Sequence, residues 1–146
     1  MPDLSVPPDI ADLDIPIDAW TRPFWDGTAR HALMMPCCGE CARYRWPPGP
    51  FCPHCRSQAL RWMPAGEAQV YSFTVVRSAQ ADAAGRHPVH IPALIAFPGA
   101  GGVRLLAAII NTDPEQLRIG DRLRVVWTTT GSETVPAFVP VERPCG

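Results

Sequence analysis

The sequence predicts a mainly β protein with three parts: an N-terminal segment with a short helix (1–30), a rubredoxin-like zinc ribbon (31–63) and a five-stranded OB-fold barrel (64–146). Two observations carry that expectation. Cys38, Cys41, Cys52 and Cys55 form a C-x2-C-x10-C-x2-C frame, in which each thiolate pair can close a tight knuckle on a tetrahedral ion. From Gly66 onward the apolar pattern changes to a period of two, in runs separated by Gly, Pro and Asp, as half-buried strands require. A chain of 146 residues with 47% hydrophobic content is long enough for one ordinary core. A ribbon of about thirty residues cannot bury enough apolar surface alone, so bound metal must supply most of its folding free energy.

The first thirteen residues, rich in Pro and Asp, are expected to be unanchored. From Asp18 the character changes. Ala19, Trp20, Phe24 and Trp25 bring apolar bulk, and Asp18 or Thr21 can cap a short helix with Pro23 in its first turn and Gly27 at its end. Leu33, Met34 and Met35 then run directly into the first knuckle. Between the cysteine pairs, Tyr44 to Phe51 forms a proline-stiffened loop whose aromatics can cover the metal site or offer a docking surface. Trp62 and Met63 lead out of the ribbon, and Pro64-Ala65-Gly66 makes a hinge.

Beyond the hinge, Gln69 to Val76 is rich in β-branched and aromatic residues and reads as a strand. A polar loop from Ala79 to Pro88 follows. Ile91 to Phe97, the glycine turn at 98–102 and Val103 to Ile110 read as a hairpin. Asp113-Pro114-Glu115-Gln116-Leu117 signals a helix start too short to grow beyond about a turn. Arg122 to Thr129 and Val135 to Val141 complete the set. Five strands with a helical turn between the third and fourth match the order of an OB-type barrel, and closure would protect the strand edges.

Four sulfurs leave zinc no open position for water or substrate, so the site is expected to be structural and not Lewis-acidic. Iron in the same thiolates would carry electrons instead, and the spacing does not separate the two metals. Cys37 leaves three residues before Cys41 where the motif has two, so Cys38 is the expected ligand. Cys145, beside Gly146, has no partner at motif spacing and is expected to be an exposed free thiol.

Net charge is −1 but uneven: residues 1–26 hold six Asp against Arg22, and residues 30–62 hold five Arg against Glu40. All thirteen basic residues are Arg. A zinc tetrathiolate carries −2, which leaves the ribbon only mildly positive. The N-terminus lacks a basic region followed by an apolar stretch, and long apolar runs are broken by Pro, Gly or Arg. Export and membrane insertion are therefore not expected, and knuckle-spaced cysteines fit reduced thiolates in the cytoplasm. No nucleophile elbow, HExxH, phosphate-binding glycine loop or acid-base carboxylate pair stands out. Gly99, Gly101 and Gly102 precede a strand instead of a helix, which reads as a hairpin turn. His87 and His90 flank a polar loop without further ligands, and His54 sits inside the second knuckle. The chain is not expected to be an enzyme by itself.

Phe24-Trp25, Cys38-x2-Cys41, Pro47-Pro48, Phe51-Cys52-Pro53-x-Cys55, Trp62, Gly66 and Val70-Tyr71-Ser72-Phe73-Thr74 together resemble the acyl-CoA-associated zinc-ribbon and OB-fold proteins. The resemblance continues through Val103-Arg104, Leu117-x-Ile119-Gly120-Asp121 and Pro136-x-Phe138, so it spans about residues 18–141. Gly66-Glu67-Ala68 departs from it, since the family commonly has a second glycine at the third place. The resemblance implies a non-catalytic accessory subunit of a thiolase-like enzyme: a thiolase, acyltransferase or retro-aldolase acting on acyl-CoA thioesters. It implies structural Zn2+, a CoA thioester at the partner interface, and a hetero-oligomer with two copies of each chain if the partner is two-fold symmetric. Some members of the family are fused to hydratase-like domains. Trp20, Phe24 and Trp25 on one short helix are candidate interface anchors, or they pack on their own barrel. The alternative is a single-stranded nucleic-acid-binding protein, with Tyr71 and Phe73 stacking bases from one strand face. The neutral barrel and acidic N-terminal segment weigh against that alternative.

Overall fold

The computed structural model describes residues 3–143; the expected free thiol at Cys145 lies outside the described residues. Its elements are α1 (Arg22–Ala29), β1 (Met34–Cys38), β2 (Leu60–Pro64), β3 (Ala68–Phe73), β4 (Val76–Arg77), β5 (Val89–Phe97), β6 (Val103–Ile109), β7 (Arg122–Thr129) and β8 (Thr134–Pro140). Strands β1 and β2 pair as an antiparallel hairpin, Met34 opposite Pro64 and Cys38 opposite Leu60. The metal frame is strung between their far ends.

The remaining strands close a barrel. β3 pairs with β5 and β7, β5 with β6, β7 with β8, and β6 runs parallel to β8. That ring of five strands is the OB topology, and two-residue β4 adds to it beside β5. Alternation in β5 explains its place: Val89, Ile91, Ala93 and Ile95 are buried while His90, Pro92 and Leu94 are half-buried. Phe97, Phe138, Ile91, Ile95 and Ile109 are fully buried, with the rings of Phe97 and Phe138 6.2 Å apart. The Asp113 segment makes only a turn, closed by the Gln116 N–H donating to the Asp113 carbonyl at 3.0 Å.

Strand β3 carries a bulge. Val70 faces Ile95 and Ser72 faces Leu94, so Tyr71 is the extra residue and the facing pattern shifts by one. Phe73 packs against the core, whereas Tyr71 is exposed with the Arg104 guanidinium 3.7 Å from its ring centre. The stacking pair expected on one face is therefore divided between two.

The same core reaches back into the ribbon and helix, for Met35, Ala65 and Phe24 belong to the cluster that holds Phe138. Phe24 is buried against Trp25 and Trp46, at ring separations of 5.0 and 4.9 Å. Trp20 precedes α1, contrary to the expectation of three aromatics on one helix, and is exposed, while Phe24 is buried and Trp25 half-buried, so α1 serves its own core. His31 stacks on Trp127 of β7 at 5.1 Å and fixes the end of the helix to the barrel. Thr21 stands at the helix N-cap without a side-chain capping bond. Asp18 organises the preceding turn instead, accepting from the Thr21 N–H at 2.8 Å and the Trp20 N–H at 2.9 Å. The Thr21 N–H, then the Thr21 hydroxyl, hold its carboxyl below the ordinary carboxylate value.

Gly27 does not end the helix, which runs two residues further to Ala29. Its role is close approach: a Cβ there would lie 2.8 Å from the Ala32 carbonyl oxygen. The N-terminal arm also departs from expectation. Ser5 is fully buried, its hydroxyl donating to the Ile109 carbonyl at 2.9 Å and accepting from the Thr112 N–H at 3.2 Å. The Val6 N–H donates to the Val89 carbonyl at 2.9 Å. These bonds fasten the arm across the ends of β5 and β6, so the Pro and Asp content did not leave it free.

Candidate metal centre

Each knuckle is built by the same backbone bonds. The Ala42 N–H donates to the Cys38 carbonyl at 3.1 Å, and the Cys38 N–H donates to the Arg43 carbonyl at 2.9 Å. In the second knuckle the Arg56 N–H donates to the Cys52 carbonyl at 2.9 Å, and the Cys52 N–H to the Ser57 carbonyl at 2.8 Å. Ala42 and Arg56, each directly after the second cysteine of its pair, have φ of 61° and 63°. That left-handed backbone is unfavourable for a residue with a Cβ, and its appearance twice at equivalent places marks a required turn.

The turns aim N–H groups at sulfur. Cys38 receives the N–H groups of Cys41 and Glu40, which pull its thiol below the ordinary value. Cys52 receives those of Cys55 and His54 and falls to about 6. Donors of this kind favour the thiolate, the form that binds metal. Cys41 accepts from the Arg43 N–H, but burial and the crowding of neighbouring sulfurs outweigh that bond and raise it to about 11. One divalent metal shared by the four would ease that conflict, since its charge offsets half of the thiolate charge and draws the sulfurs to a common centre.

The donor set fits zinc. The four Sγ atoms lie within 4.8 Å of one another, with Cys38 and Cys55 3.6 Å apart and Cys41 and Cys52 3.7 Å apart. Sulfurs at about 2.3 Å from a tetrahedral zinc are separated by about 3.8 Å, and a disulfide would need about 2.05 Å. Zinc bound here would cross-link the two knuckles and so fasten the loop between β1 and β2.

Other candidate groups stand apart. Cys37 is buried outside the sulfur cluster, its Sγ 3.8 Å from the Cys38 carbonyl oxygen. His54 Nδ1 lies 3.2 Å from the Arg43 guanidinium. His87 contacts the Ser78 carbonyl at 2.9 Å, and His90, a residue of β5, contacts the Val6 carbonyl at 3.2 Å. Among the described residues no other group of three or more His, Cys, Asp and Glu gathers. Tyr44 and Trp46 turn from the sulfurs toward the barrel core, whereas Phe51 stays exposed. Gly101, at φ 67°, lies under the Tyr44 side chain, so the β5–β6 turn is where barrel and ribbon touch. Arg45 is buried: Nη2 donates to the Gly49 carbonyl at 3.0 Å, and Nε and Nη1 have no partner among the described residues. Sequence reasoning missed that burial, since nothing in the pattern distinguishes Arg45 from its exposed neighbour Arg43.

Residues 25–61 match the ChsH2 rubredoxin-like zinc ribbon domain, and residues 64–128 match the ChsH2 C-terminal OB-fold domain. A probable enoyl-CoA hydratase alpha subunit of Thermomonospora curvata is 32% identical over 127 residues, a match covering 80% of this chain. The chain spans only 36% of that relative's length. A chain of the solved Ltp2-ChsH2(DUF35) aldolase superposes with a TM-score of 0.75 at 26% identity, over 87% of this chain and 98% of its own. A DUF35-family protein of unknown function from Sulfolobus solfataricus shares the fold, with a TM-score of 0.58 at 19% identity over 82% and 84% of the two chains. No helix among the described residues is long and apolar enough to cross a membrane.

Proposed function

The chain is built of the ChsH2 family's zinc ribbon and OB-fold domains, and on that premise we propose that it is the non-catalytic accessory subunit of a thiolase-like enzyme acting on acyl-CoA thioesters. The observation that carries the reading is the pairing of this ribbon with this barrel, together with the likeness over most of both chains to a component of an aldolase assembly. Cys38, Cys41, Cys52 and Cys55 are the proposed zinc ligands, supported by their mutual distances. A closed tetrathiolate has no position for substrate, so its work is to hold the ribbon in shape against the barrel. Reacting groups would come from the partner. This chain would stabilise the assembly and form part of the wall of the substrate channel.

Co-expression with candidate thiolase-like enzymes, followed by size-exclusion chromatography, tests the reading. Co-elution and turnover of an acyl-CoA substrate only by the complex are expected. Separate elution of two well-folded proteins would overturn it.

A further inference from the structure

An apolar cavity of about 550 Å³ lies where the N-terminal arm, α1, the ribbon loop and strands β6 and β8 meet. That size is typical of small-molecule sites. Its walls come from segments far apart in sequence: Ile10, Leu13 and Ile15 from the arm, Trp25 and Trp46, and Ala108 and Ala137 from neighbouring strands. The arm is fastened on one side by Ser5 and on the other by the Asp18 turn. It therefore crosses the cavity as a fixed wall between two anchors.

The lining sets the chemistry of an occupant. Among its residues Thr21 and Thr128 carry hydroxyls, and Trp25 and Trp46 carry indole N–H groups. Both hydroxyls are already engaged, donating to Asp18 Oδ1 at 3.0 Å and to the Val135 carbonyl at 3.1 Å. No charged residue lines the space. Asp9, Asp12 and Asp14 alternate with the arm's apolar residues, are exposed, and add negative charge around it. An occupant must then be largely apolar, can call on no donor besides the two indole N–H groups, and bears no negative charge within the cavity.

We propose that this cavity holds the uncharged, apolar acyl group of a thioester, with the phosphates of CoA lying outside it. The inference rests on the accessory-subunit reading for the identity of the thioester, not for the existence of the site. Binding should be driven by buried methylene groups, so affinity should rise about fourfold per added methylene until the space is filled.

The test uses the zinc-loaded full chain and N-acetylcysteamine thioesters of butanoic, hexanoic and octanoic acids, followed by tryptophan fluorescence from Trp25 and Trp46. Expected results are the chain-length slope, weaker binding of free octanoate than of its thioester, and at least a tenfold loss in Ala108→Phe. Leu13→Asp, on the arm and outside the barrel, should weaken binding with zinc content and melting temperature unchanged. Absence of binding by folded wild-type chain, a flat chain-length series, or wild-type affinity in both variants would overturn the proposal. Co-elution with a partner but no probe binding would defeat this inference and leave the subunit reading standing. Probe binding by a chain that elutes alone beside every candidate enzyme would do the reverse.

Discussion

The two strands of the ribbon bury four of their ten residues, all four in β1, whereas β5 of the barrel alone buries six of its nine. The two regions therefore keep their shapes by different means. The barrel draws on a closed ring of strands around Phe97, Phe138 and Ile95, where burial of apolar surface supplies the stability. The ribbon has one hairpin and two knuckles held in a backbone conformation unfavourable for Ala42 and Arg56, an arrangement that a metal shared by the four cysteines would stabilise. Where they meet, Met35, Tyr44 and Trp46 lend the ribbon side chains to the barrel's core. On the proposed zinc site, one region is stabilised mainly by area and the other mainly by coordination.

The largest effect expected to separate them is that of Cys41→Ser. It should release zinc and abolish amide-exchange protection over 34–64 while the strands of 89–109 stay protected, as hydrogen exchange with mass spectrometry would show. Loss of protection in both regions together would break the distinction. Phe138→Ala attacks the other side: a buried aromatic removed from a core costs about 3–5 kcal/mol, measurable by urea unfolding. The ribbon should keep its zinc in the folded fraction of that variant. Ser5→Ala removes a buried hydroxyl bonded to Ile109 and Thr112 and should cost about 1–2 kcal/mol. Faster proteolysis of the arm ahead of any change in the barrel is the expected readout. Smallest is Ala42→Gly, which relieves a left-handed residue and should strengthen the ribbon by about 0.5–1 kcal/mol, read as zinc retained at higher chelator concentration.

Legibility in the sequence followed the range of the interactions. The cysteine frame was readable because the ligands of a knuckle are set by spacing over four residues, and the barrel because alternation is local to each strand. Strand β7 fell on the expected residues, Arg122–Thr129. The arm was not readable, since its anchors, Ser5 and the Val6 N–H, bond to residues more than eighty positions away. Gly27 looked like a helix end because glycine serves both purposes, and only the approach of Ala32 shows which one applies. At Tyr71 the alternation itself misled, as a bulge shifts the facing pattern without leaving a compositional mark. Bulk alone left Phe24 and Trp25 open between an interface and their own barrel, and it is Trp46 and the barrel core that they pack against.

Native mass spectrometry of the chain co-expressed with a candidate thiolase-like partner tests the central claim most directly. The expected species contains two copies of each chain and one zinc per copy of this one. A free monomer of this chain beside an intact partner enzyme, or iron in place of zinc, would contradict it.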